Sequence, residues 1–104
     1  MLKIYKYKIE ITDEFTLFVP GESKILKLDV QNNKPVLWIL VDPDSPQKIR
    51  HFKGFGTGHP IQHKNILSME HHLVYIDTVM MEGGFFVYHL FEKRFNNGSL
   101  QRKL

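Results

Sequence analysis

The chain has 104 residues and 12.3 kDa, with 14 basic and 11 acidic side chains and no cysteine. That length holds one core, which excludes barrel enzymes, kinases and two-domain dinucleotide enzymes, and the missing cysteines exclude disulfide frameworks, thiolate nucleophiles and iron–sulfur clusters. A 42 % hydrophobic and 24 % charged composition describes a folded domain, while the net charge of +3 invites a nucleic-acid reading.

Period two dominates the pattern along the chain. Tyr5, Tyr7, Ile9 and Ile11 alternate with Lys6, Lys8 and Glu10, as in a half-buried strand with a charged outer face. Phe15 to Val19 predicts a second strand ending at Pro20, and Pro20-Gly21-Glu22-Ser23 a turn. Ile25 to Gln31 alternates again, with Leu26, Leu28 and Val30 on one face. Asn32-Asn33-Lys34 suits a hairpin loop, because Asn tolerates positive φ. Val36 to Val41 is apolar on both faces and predicts a central strand covered on both sides. Two prolines make Asp42 to Pro46 a turn, and Lys48 to Lys53 leads back as a strand.

Three glycines and a proline predict a loop from Gly54 to Pro60. Asn65 to His71 suits a short helical turn, Leu73 to Met80 a strand, Glu82-Gly83-Gly84 a turn, and Phe85 to Phe91 a second doubly apolar strand. Residues 93–104 lose periodicity. The sum is an all-β fold: one antiparallel sandwich or small barrel of about seven strands over residues 1–92, with at most one short helix. Residues 93–104 form a basic C-terminal extension.

Several segments together resemble a family of small uncharacterised proteins of bacteriophages and prophage-carrying bacteria. They are Ile4-Tyr5-Lys6-Tyr7 with Ile11-Thr12-Asp13-Glu14, then Leu37-Trp38-Ile39-Leu40-Val41-Asp42-Pro43, Gly56-Thr57-Gly58-His59-Pro60-Ile61, and Gly83 to Glu92. The resemblance covers residues 4–92 and departs from it most in 62–72. It implies a phage accessory protein acting in the cytoplasm of the infected cell, and no particular activity. By analogy of context, such proteins disable a host component or sequester a small defence signal.

The Gly-rich loop is the main candidate site. Glycines let a ligand approach the backbone, and successive N–H groups can face an anion. Arg50, Gly56, Thr57, Gly58, His59 and His89 are therefore the candidate ligand-binding residues, for a small anionic or nucleotide-like host molecule. The plainer reading is a strand connection whose glycines supply positive φ. The segment is neither a P-loop nor a dinucleotide fingerprint. His89 lies among Phe85, Val87 and Phe91, where its ring nitrogens need partners. A shared pocket with His59 is the sharper alternative to a hydrogen bond with backbone or a neighbouring acid. Asp77 alternates with Tyr75 and Val79 on one strand face.

Six histidines, His51, His59, His63, His71, His72 and His89, raise a metal-dependent enzyme as one alternative, but their spacing matches no zinc motif. No metal, cofactor or catalytic residue is assigned, and a non-enzymatic binding role is favoured. The other alternative is a protein–protein inhibitor or assembly adaptor working on a host protein through an apolar patch or sheet edge. Exposed antiparallel edges also favour a homo-oligomer. No run is long enough for a membrane span or signal peptide, so a soluble protein is expected. All 11 acids lie at or before Glu92, while Lys93, Arg94, Arg102 and Lys103 lie beyond it. Residues 1–92 are thus close to neutral, which argues against nucleic acid as partner.

Overall fold

The computed structural model describes residues 1–61 and 71–95. Among these, seven strands form: β1 (Lys3–Lys8), β2 (Glu14–Pro20), β3 (Ser23–Gln31), β4 (Lys34–Val41), β5 (Gln47–Gly56), β6 (His71–Met81) and β7 (Phe86–Phe95). They make two antiparallel sheets, of order β1-β4-β3 and β2-β5-β7-β6. The fold is an all-β sandwich, as the alternation predicts. Among the described residues, the one helical element is a 3-10 turn at Glu82–Gly84.

The layout follows from one long hairpin folded over itself. β3 pairs with β4 in one sheet, while their continuations β2 and β5 pair in the other. The proline-marked segments at 20–22 and 42–46 are therefore corners where both arms change sheet. Backbone bonds carry the pairing round the corner: Gly21 N–H donates to the Pro46 carbonyl (2.6 Å) and Asp42 N–H to the Glu22 carbonyl (2.9 Å). β1 then adds to β4, and the β6–β7 hairpin adds to β5.

Inward-facing residues fill the space between the sheets. Val19, Leu28, Leu37, Ile39, Val41, Phe52, Tyr88 and Leu90 are buried, and Phe15 stacks on Phe52 at 5.0 Å between ring centroids. The outer face of β4 is only half covered, contrary to the two-sided burial expected of it. Trp38 lies there beneath the Lys6 ammonium, 5.9 Å from its ring centroid.

Three further expectations change. β5 runs through Gly54 to Gly56, so the predicted loop begins only at Thr57. Bulges between Ile25 and Lys27 and between Tyr75 and Asp77 shift the phase of β3 and β6. Leu26 is consequently exposed rather than aligned with buried Leu28, and Asp77 falls out of step with Tyr75. β7 continues to Phe95, so Lys93 and Arg94 belong to the sheet. The helical turn expected at 65–71 falls mainly on residues outside those described, though His71 opens β6. His63 and the tail from 96 also lie outside the described residues.

Candidate functional site

The Gly-rich segment packs against the chain itself. A Cβ on Gly54 would overlap the Tyr88 ring, whose hydroxyl donates to the Thr12 carbonyl at 3.0 Å. A Cβ on Gly56 would lie 2.8 Å from the His59 ring. These two glycines give space to aromatic and imidazole rings rather than to a ligand. Gly58, at φ 85°, supplies the left-handed turn.

Thr57 and His89 do come together. Thr57 Oγ1 shares a 2.7 Å hydrogen bond with His89 Nε2, and His89 Nδ1 shares one of 2.9 Å with Thr78 Oγ1. Thr78 Oγ1 in turn meets the Tyr75 hydroxyl at 2.6 Å. Both ring nitrogens are thereby satisfied on a face that otherwise carries Phe55 and Phe91, packed edge to face. His59 lies on the other side of β5, where the Gly56 Cβ would point, so it shares no pocket with His89. Its own cavity, of about 580 Å³, is lined by Asp13, Glu14 and Lys53, among others. Two carboxylates there oppose the anion expected at the loop.

Arg50 stands apart from the loop, buried at 8 % exposure on the inner face of β5. Its Nε and Nη2 donate to the two carboxylate oxygens of Glu92 at 2.5 and 2.6 Å, and its Nη1 donates to Ser23 Oγ at 3.0 Å. Arg94 adds a second guanidinium, donating from Nε to Glu92 Oε1 at 2.9 Å. Burial alone would push the Glu92 carboxyl up; hydrogen bonds and charge from Arg50 and Arg94 outweigh it and hold it below the ordinary value. The sequence signal for Glu92 is its place in the inward series Tyr88, Leu90, Glu92. A carboxylate at that position requires a cationic partner.

This array forms one end of a cleft of about 540 Å³ between β3 and β6. The two strands are the facing edges of their sheets and run close together without pairing. Both bulges fall on the cleft, where Ser23 to Lys27 face Val74 to Asp77. Among the described residues, four cations (Arg50, Arg94, Lys24 and Lys27) and one carboxylate (Asp77) line the cleft, with the Glu92 carboxylate behind them on Arg50 and Arg94. Asp77 Oδ1 is turned to its own bulge and accepts from Thr78 N–H at 2.8 Å. Ile25, Leu26, Val74 and Ile76 add apolar wall, and Tyr75 also borders the cleft, its ring packed edge to face on Phe91.

A family model spans the loop, both cleft strands and the arginine array, matching residues 1–100. The chain belongs to the family described as a domain of unknown function, DUF7352. The match runs past residue 92, so the final strand residues belong to the DUF7352 domain as well. No curated protein and no solved structure matches the chain. Among the described residues, no group of three or more His, Asp or Glu side chains is placed to hold a metal ion. No helix among them is long and apolar enough to cross a membrane.

Proposed function

We propose that this DUF7352 chain is a non-enzymatic binding protein that takes a small anionic, nucleotide-like molecule into the cleft between β3 and β6. The observation that carries this reading is the charge of the cleft, where, among the described residues, two guanidiniums and two lysines outnumber the carboxylates of Asp77 and Glu92. Glu92 holds Arg50 rigid, and Arg94, with its side chain 46 % exposed, presents the accessible guanidinium. Lys24 and Lys27 line the same cleft from exposed positions on β3. A phosphate group fits that end, because guanidinium and ammonium groups donate charge-assisted bonds to its oxygens. A base fits against the aliphatic side chains of Ile25, Leu26, Val74 and Ile76. The cavity also has the size of ordinary small-molecule sites, roughly 300–1,000 Å³.

The proposed ligand class is the one the sequence suggests, and Arg50 remains in the site. The position moves from the loop to the cleft because Asp13 and Glu14 border the loop cavity. Thr57 and His89 then act at a distance, fixing Thr78 and through it the Tyr75 hydroxyl. The resemblance to phage and prophage proteins supports an accessory role in the host cytoplasm, sequestering a host nucleotide signal.

Isothermal titration with ADP and with a cyclic dinucleotide tests the reading. Arg94→Gln removes charge-assisted bonds worth about 1.5–3 kcal/mol, so affinity should fall roughly tenfold to a hundredfold. Lys24→Gln with Lys27→Gln should weaken binding further, while His59→Ala should leave it unchanged. Absence of binding to both probes, together with native mass spectrometry of host-made protein that finds no retained small molecule, would refute the proposal.

A further inference from the structure

The two sheets expose edge strands of opposite character. β3 and β6 face each other across the cleft. β1 carries Lys3, Lys6 and Lys8, the positive guard usual on an edge that must stay unpaired. β2, the edge of the larger sheet, has no charged residue between Glu14 and Pro20. Its outward Phe18 is 67 % exposed, and the β5 residue paired with it, Ile49, is 47 % exposed. An uncharged edge beside an exposed apolar pair is a template for strand addition.

We propose that β2 pairs with β2 of a second copy, antiparallel about a two-fold axis at Leu17, to give a continuous eight-stranded sheet. The charge pattern selects a second copy as the occupant. Centred on Leu17, Glu14 of one copy meets Pro20 of the other, Phe15 meets Val19, and Thr16 meets Phe18. No like charges oppose, and the carboxylate at each end faces a proline. Pairing β1 with itself over its full length would instead set Lys3 against Lys8 at both ends, a destabilising arrangement. The axis also keeps faces matched: half-buried Leu17 meets its counterpart on the core side, and exposed Phe18 covers Thr16 on the outside. The interface is isologous, so assembly stops at two copies.

Sedimentation velocity across a range up to ~200 µM tests this, because a self-pairing edge makes mass depend on concentration. The wild-type chain should sediment as a dimer at the upper end. Phe18→Glu should raise the dimer dissociation constant at least about tenfold, because it removes the apolar contact with Thr16 of the other copy. Thr16→Lys offers a second lesion at an exposed position, and circular dichroism confirms folding in each variant. The combined T16K/F18E chain sets opposite charges across the axis twice and should dimerise again. A wild-type chain that stays monomeric at the highest concentration overturns the proposal. So does a dimer indifferent to F18E, a double variant that stays monomeric, or assembly beyond two copies through β1 against β2.

Discussion

Gly54 shows how one residue's role depends on another far away in sequence. It is buried in β5, and the Tyr88 ring occupies the place its side chain would take. Gly54→Ala should therefore cost about 1–3 kcal/mol in urea unfolding, the usual price of overpacking. Gly54→Ala combined with Tyr88→Leu should lose less than the two single changes together, since the smaller side chain gives the methyl group room. Additive losses would show that the ring is not what excludes a side chain at 54. The sequence cannot separate a glycine kept for positive φ from one kept for space, so the run from Gly54 to Gly58 reads as uniform loop. Only Gly58 in that run has positive φ. His89 was more legible. Its position on an apolar face demanded partners, and Thr57 and Thr78 supply them. That these would be hydroxyls from two other segments lay beyond any local pattern.

Among the elements, the β3–β4 hairpin is the one most plainly written in the chain. Asn32 and Asn33 hold φ of 51° and 63°, and Gln31 pairs with Lys34 across the two-residue turn. The turn also ties two hairpins together, because Asn33 Oδ1 accepts from Glu82 N–H in the β6–β7 connection at 2.8 Å. Asn33→Gly keeps the backbone conformation and loses that bond, so it should cost about 0.5–1.5 kcal/mol. Asn33→Ala loses the same bond and also the short polar side chain that eases the left-handed region, while keeping the Cβ that glycine lacks, so it should cost about 1–2 kcal/mol more than Asn33→Gly. Equal losses in chemical denaturation would show that the side-chain bond alone matters. The bulges in β3 and β6 are the opposite case. An extra residue in one strand is a property of its pairing, and alternation read along one strand cannot reveal it. For that reason alternation sets Leu26 on one face with Leu28, and Asp77 on one face with Tyr75, and gives no sign of the cleft they border.

At the scale of the whole molecule, strand count and antiparallel character follow from alternation and turns, but the folding-over of the long hairpin does not. Pro20-Gly21 and Asp42 to Pro46 look like turns that reverse the chain; they are corners that pass it between sheets. The Arg50–Glu92–Arg94 array sits near that corner, and Arg50 on one sheet reaches Ser23 on the other. Stability should therefore depend on the charge of Glu92, whose side chain is 5 % exposed. Its carboxyl lies below the ordinary 4.5 when folded, so the folded state holds fewer protons than the unfolded chain through that range. Its contribution is fully present above the unfolded value and disappears as pH falls through the folded one. Glu92→Gln leaves Arg50 buried without its charged partner and should cost about 3–5 kcal/mol at neutral pH. Urea unfolding at a series of pH values should show the gap between wild type and E92Q narrowing only below about 4.5, as the wild-type carboxyl takes up its proton. A gap of constant size down to acid unfolding would mean that the array holds the sheets together by shape and hydrogen bonding, with the charge on Glu92 contributing nothing to the difference.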